Sequence, residues 1–164
     1  MSPPLTIRPP VAFDTGPMAR LLSAIIRAGG TTARTKGVSA ADMAAMIAAD
    51  ADRSAWYVAE IDGEIVGFQH VSPWPGLPPE ACDIATFVQH GKQQLGIGSA
   101  LFEQTAEAAR QLRYSWICAC IRIDNAGGRA YYQSRGFRDY DLLEEVTLSN
   151  GQQVTQILTR FDLD

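Results

Sequence analysis

What the chain has little of narrows what it can be. It carries three cysteines, Cys82, Cys118 and Cys120. An odd number of thiols set in strand-like runs fits buried free cysteines better than a disulfide framework. The two histidines, His70 and His90, stand far apart in sequence, so the thiols have no evident imidazole partners and no metal site is expected. Charge is modest, with a net value of -4 at pH 7. No dense basic stripe or aromatic-basic platform is present, so nucleic acid is not an expected partner. No apolar run is long enough to span a membrane. The opening residues Met1-Ser2-Pro3-Pro4-Leu5 have neither the charged nor the apolar region of a secretion signal, so the expected location is the cytoplasm. The dinucleotide pattern GxGxxG and the triphosphate pattern GxxxxGK[ST] are both missing, since no lysine follows the glycines.

What is present fits one globular domain over residues 1–164, with 46% apolar residues available for a core. A short strand is expected over 5–8, stopped by Pro9-Pro10. A helix follows over 16–28, with Met18, Leu21, Leu22 and Ile25 near one stripe. Residues 29–37 are polar and glycine-rich, either a cover over a ligand or an ordinary surface connection. Ser39 reads as the N-cap of a helix over 40–49, with Asp42 in the capping-box position. Strands over 56–61 and 64–69 flank Asp62-Gly63, a hairpin signal. After a proline-rich connector over 73–79, strand character returns over 82–88. A helix over 98–112, an apolar strand over 116–121 and a helix over 125–134 come next. A last hairpin over 144–148 and 154–159 turns at Asn150-Gly151. This order predicts a mixed sheet flanked by helices.

The most informative segment is Gln93-Gln94-Leu95-Gly96-Ile97-Gly98, between the strand over 82–88 and a helix whose Leu101, Thr105, Ala108 and Leu112 share a face. Glycines let backbone approach a ligand closely, and the first amides of a helix are free to hold an anion. A second segment, from Asn125 through Tyr131-Tyr132 to Gly136-Phe137, follows the next strand.

Together with the element order, these two segments resemble the GCN5-related N-acetyltransferase (GNAT) superfamily, near its phosphinothricin and amino-acid N-acetyltransferases. The matching motifs run from Phe87 to Phe137, and the order of elements extends the likeness over nearly the whole chain. The resemblance implies an α/β (α+β mixed sheet) fold with a splayed, mostly antiparallel central sheet, and acetyl-CoA as co-substrate. It implies that the amides of Leu95, Gly96, Ile97, Gly98 and Ser99 hold the pyrophosphate, with Gln93 and Gln94 opening the loop. The strand end at Phe87 and Val88 would pair with the pantetheine arm. Asn125 would bond that arm, and Tyr132 would point at the sulfur. Homodimerisation is a further implication of the family. His90, Gln94 and Leu95 depart from the family pattern. At the last two, basic side chains are frequent, and their loss weakens the expected hold on phosphate.

Acetyl transfer to an amine requires alignment, removal of a proton from nitrogen and delivery of one to the leaving thiolate. Tyr132 suits the acid, and Val88 is the expected amide donor to the carbonyl oxygen. For the base, Asp83 stands in an otherwise apolar run, at the place where related amino-acid acetyltransferases of the superfamily carry an acidic residue. Glu80, His70 or a water path are alternatives. Simpler readings exist for each: Asn125 as a helix cap, Tyr132 as a core aromatic, Asp83 as a solvated strand-edge carboxylate, and Tyr131 as packing or substrate wall. The acceptor pocket would draw on residues 25–36, Trp74 and 143–159, with Arg34 and Arg122 able to meet a carboxylate. A small-molecule amine is favoured over a protein tail. The competing classes are a catalytically silent acyl-CoA-binding or regulatory module, a protein N-acetyltransferase, and a structural partner protein.

Overall fold

The computed structural model describes residues 4–92 and 95–164. Strand β1 (Leu5–Arg8) leads through a short 3-10 turn (Ala12–Asp14) into α1 (Thr15–Ala28) and α2 (Ala40–Ala48). The chain continues through β2 (Ala55–Ile61), β3 (Glu64–Ser72), β4 (Ala81–Val88), α3 (Ile97–Gln111), β5 (Trp116–Arg122) and α4 (Ala126–Ser134). It closes with β6 (Arg138–Thr147) and β7 (Gln153–Asp162).

Local chemistry accounts for several of these boundaries. Ser39 Oγ accepts from the Asp42 amide at 3.0 Å and Asp42 Oδ2 accepts from the Ser39 amide at 2.9 Å, so the capping box forms as expected. Asp62 and Gly63 sit at φ 52° and 77°. Two successive left-handed residues give the twist a two-residue hairpin needs. The last hairpin begins earlier and ends later than its sequence pattern predicts. Two register shifts interrupt β6, between Asp139 and Asp141 and between Leu143 and Val146, and they hide its period-two alternation. The strand is also mostly exposed, so burial leaves little hydrophobic pattern on it.

The seven strands form one sheet in the order β1-β2-β3-β4-β5-β7-β6. Neighbours pair antiparallel except β4 and β5, which run parallel with α3 as their crossover. Helices α3 and α4 cover one face, burying Cys82, Ile84, Phe102, Ile117, Tyr132 and Phe137 together. Helices α1 and α2 cover the other face over β2–β4, burying Met18, Leu22, Met43, Trp56, Phe68 and Phe87. The expected mixed α/β architecture, a largely antiparallel sheet flanked by helices, is what forms. No described helix is long and apolar enough to cross a membrane.

Candidate active site

The sheet parts in its middle. β4 and β5 pair at three positions, Ala81 with Trp116, Cys82 with Ile117 and Asp83 with Cys118. Past Asp83 the strands diverge. β5 stays paired to β7 as far as Arg122, and β4 to β3 as far as Val88. The fork leaves the inner backbone edges of 84–88 and 119–122 facing each other without a shared ladder. Such an edge can take an extended ligand arm as a strand takes a neighbour.

Strand alternation assigns the side chains around the fork to opposite faces. Thr86 and Val88 share the α3/α4 side with Cys82 and Ile84, and Asp83 shares the α1/α2 side with Ala85 and Phe87. On the α3/α4 side, Tyr132 is buried and its hydroxyl lies 2.7 Å from Thr86 Oγ1. Gln69, fully buried on β3, donates from one amide nitrogen to Thr86 Oγ1 at 2.8 Å and to the Tyr131 hydroxyl at 3.0 Å. Tyr131 in turn donates to the Gly98 carbonyl at 2.7 Å. This network joins β3, β4, α4 and the start of α3.

On the opposite face, three polar atoms are withdrawn from water with no partner among the described residues. They are Asp83 Oδ1, His70 Nδ1 and Trp56 Nε1. Trp56 and His70 stand opposite each other on β2 and β3 with rings stacked at 3.8 Å, and Asp83 faces Ser72, two residues beyond His70. Burial pushes the Asp83 carboxyl up to about 7. Burial, with the charge of Arg34 second, pushes the His70 imidazole down to about 3. The fold therefore places a carboxyl poised near neutrality on the same sheet face as an uncharged imidazole. Buried groups without partners are costly, and in native proteins they concentrate where a ligand completes them.

At the start of α3, Gly96 is the N-cap with φ 75°, a left-handed conformation that favours glycine, and Ile97 is its first helical residue. A side chain at Gly96 would meet open space, whereas one at Gly98 would lie 2.6 Å from Tyr131 Cε1. Gly98 is thus required as much by Tyr131 as by any ligand. Ser99 Oγ accepts from Arg135 at 2.7 Å, and Arg135 Nε is buried without a partner. A guanidinium from the end of α4 therefore stands at the helix start. Gln93 and Gln94 lie outside the described residues.

The sequence model of the acetyltransferase (GNAT) family matches residues 30–137, a span that includes the fork, the α3 start, Asn125 and Tyr132. The chain belongs to the acetyltransferase (GNAT) family. It is similar to the phosphinothricin N-acetyltransferase of Streptomyces viridochromogenes, 24% identical over 92% of this chain and 85% of the relative. In fold it is similar to the yncA protein of Salmonella typhimurium, solved with acetyl-CoA, at TM-score 0.87 and 18% identity, covering 98% and 94% of the two chains. It is also similar in fold to a ribosomal-protein-alanine N-acetyltransferase of Brucella melitensis, at TM-score 0.87 and 19% identity, covering 96% and 99%.

Within this GNAT-family framework the described sequence-predicted residues fall in three places. Asp83, Phe87, Val88 and Tyr132 lie about the fork, Leu95 and Gly96 lead into α3 with Ile97, Gly98 and Ser99 in its first turn, and Asn125 stands at the start of α4. The Phe87 ring packs into the α1/α2 core at 5.0 Å from Phe68, which leaves only its backbone for a ligand. Asn125 caps α4, accepting from the Gly128 amide at 3.0 Å, while its side-chain amide donates to the Thr31 carbonyl at 3.2 Å. Arg122 is bound to Asp124 at 2.9 Å and to the Thr32 carbonyl at 3.4 Å, so it is not a free partner for a carboxylate. The loop over 29–37 is therefore tied to the end of β5 and the start of α4. A contact between Thr35 and Ser149 joins it to the last hairpin as well.

Sequence reasoning passed over Gln69, Thr86, Trp56 and Arg135. Gln69 and Thr86 carried the one available signal, polar residues inside strands bound for a two-sided core. Arg135 lies far along the chain from Ser99, and nothing local connects them.

Proposed function

We propose that the chain is an acetyl-CoA-dependent N-acetyltransferase acting on a primary amine of a small molecule by direct attack across the fork. The observation that carries this reading is the parting of β4 and β5 at Asp83, with a buried tyrosine on one face and a half-buried carboxyl, one oxygen withdrawn from water, on the other. A thioester arm lying along the inner edge of β4 at Phe87 and Val88 would bring its carbonyl to the fork, with the Val88 amide as hydrogen-bond donor to the carbonyl oxygen. The amides of Ile97, Gly98 and Ser99, together with Arg135, are suited to the pyrophosphate. If the amide of Asn125 moves from Thr31, it is free for the arm.

When bound, acetyl-CoA supplies an acyl carbon whose leaving group is a thiolate. Asp83, near neutrality and otherwise unpartnered, takes a proton from the attacking nitrogen, directly or through a water. Tyr132 gives its phenolic proton to sulfur. Cys118 and Cys120 share Asp83's face by alternation along β5, and burial pushes their thiols up to about 11 and about 12. Protonated at neutral pH, they are poor nucleophiles, which favours direct attack over an acyl-cysteine relay. A small acceptor is favoured because the 29–37 loop is anchored to β5, α4 and the last hairpin, narrowing access to the face that holds Asp83.

The test is calorimetric titration with acetyl-CoA. Thiol release is then measured with free amino acids, a polyamine, an aminoglycoside and a peptide bearing an N-terminal alanine. Turnover on small amines supports the proposal. Turnover on the peptide alone would assign a protein N-acetyltransferase, and binding without turnover a silent acyl-CoA module. A folded protein that does not bind acetyl-CoA would overturn the assignment.

A further inference from the structure

We propose that Thr86, oriented by Gln69, is a positioning residue that turns the Tyr132 proton toward the fork and stabilises the phenolate left when that proton is given away. This rests on the reading of Tyr132 as the acid.

The direction of these hydrogen bonds is set at an atom that has no choice. The Gly98 carbonyl can only accept, so Tyr131, 2.7 Å away, spends its single proton there. The Tyr131 oxygen must therefore accept from Gln69, which sets the amide with its nitrogen toward the tyrosine, at 3.0 Å. Turning the amide over would place its oxygen against a hydroxyl that has no proton left. The orientation holds even though Gln69 Oε1 is then buried without a partner, an arrangement that costs stability. The second proton of the same nitrogen goes to Thr86 Oγ1 at 2.8 Å. Thr86 now accepts, and the shortest hydrogen bond open to its own proton is the one to the Tyr132 oxygen at 2.7 Å. If Tyr132 donated to Thr86 instead, the half-buried threonine hydroxyl would have no acceptor as close as the tyrosine oxygen. The polarity thus runs from Gln69 through Thr86 to Tyr132, and the phenolic proton is left pointing outward.

The consequence for the reaction is specific. As the C–N bond forms and the C–S bond breaks, sulfur takes the bonding electron pair and the Tyr132 proton. Asp83 takes one proton from nitrogen, so the protons balance, and exchange with water restores both groups after products leave. Tyr132 is left as a phenolate in a buried setting, which raises its affinity for a proton. The Thr86 hydrogen bond is the interaction that opposes that rise. Thr86 keeps its own proton throughout.

The experiment compares Thr86→Val, Thr86→Ser, Tyr132→Phe and the Thr86→Val/Tyr132→Phe double variant, all on the full chain. The acceptor is whichever amine of the panel above gives the highest turnover. Thr86→Val should lower kcat about ten- to a hundred-fold, the range for one hydrogen bond to a charged group. Acetyl-CoA affinity by calorimetry should stay within about three-fold. Thr86→Ser, which keeps the hydroxyl, should recover most of kcat. In the Tyr132→Phe background Thr86→Val should cost nothing more, since there is no phenolate to stabilise. An acetyl thioester of an aryl thiol, whose leaving group needs little protonation, should erase the Thr86→Val defect. Thr86→Val as fast as the parent, a serine variant as slow as the valine, or full additivity in the double variant would each overturn this proposal while leaving the acetyltransferase reading intact. A parent protein that turns over no amine overturns both.

Discussion

At the scale of single residues, two half-buried titratable groups with opposite shifts shape the response to pH between about 4 and 7. Asp83 is raised from 3.8 to about 7 and His70 is lowered from 6.5 to about 3, each chiefly by burial. For Asp83 the folded state binds the proton more tightly, so its contribution is fully present below pH 3.8 and is lost as pH rises through about 7. For His70 the unfolded state binds the proton more tightly, so stability is lost as pH falls from 6.5 toward about 3. Between roughly pH 4 and 6.5 the two slopes oppose each other and nearly cancel. Asp83→Asn should therefore do two things in urea titrations across pH. It should stabilise the fold at pH 8 by roughly 2 to 4 kcal/mol, and between about pH 6.5 and 4 it should unmask an acid sensitivity that the parent lacks in that window. A flat profile in the variant would contradict the His70 assignment. The same substitution should remove most turnover, by about a hundred-fold or more, together with the rise in kcat expected through pH 7.

Arg135 acts at the same scale. It is the one cation bound to a side chain of the first turn of α3 among the described hydrogen bonds, and in the proposed site it would stand in for the basic residues that the glycine segment lacks. Arg135→Gln should weaken acetyl-CoA binding about ten-fold in calorimetry and flatten the salt dependence of that binding. Unchanged affinity would leave the helix amides as sufficient on their own.

At the scale of elements, the start of α3 and α4 come into close contact at Gly98. A methyl group at Gly98 would be placed 2.6 Å from the Tyr131 ring, too close for a side chain locked by bonds to Gly98 and Gln69. Gly98→Ala should lower the melting temperature by several degrees, in line with overpacking costs of about 1–3 kcal/mol. In a Tyr131→Leu background most of that loss should vanish, because the ring that collides is gone. An equal loss in both backgrounds, read from thermal melts, would assign the cost to backbone strain. This coupling was not legible in the sequence. The glycines between strand and helix pointed to a close backbone approach, but the partner in that approach is a tyrosine 33 residues away.

At the scale of the whole molecule, the sheet is continuous at one end of the fork and divided at the other. A ligand arm bridging the inner edges of β4 and β5 would complete the ladder there. Saturating acetyl-CoA should then slow amide exchange at 84–88 and 119–122 more than elsewhere in the sheet. At a hundred times its Kd it should add about 2.7 kcal/mol of stability, several degrees in melting temperature. Protection confined to the α3 start would mean that only the phosphate end is held.

The sequence by itself determined the local elements and the type of site. Capping at Ser39, the Asp62-Gly63 turn, the helical stripe of α1 and the glycine-to-helix junction are short-range effects, set by residues within one or two turns of each other. The order of these elements along the chain was legible for the same reason, whereas the splayed, mostly antiparallel sheet came only from the family resemblance. The start of β6 was not, because bulges and exposure erase the alternation that marks a strand. Tertiary structure alone decided the rest. Which face Asp83 and Thr86 occupy depends on where β4 leaves β5 and on which helices cover each side. The shifts at Asp83 and His70 come from desolvation by neighbours remote in sequence, and the polarity of the Gln69–Thr86–Tyr132 chain is set by a carbonyl on another helix. Burial and hydrogen-bond direction are properties of a packed environment, and a linear pattern carries the residues without that environment.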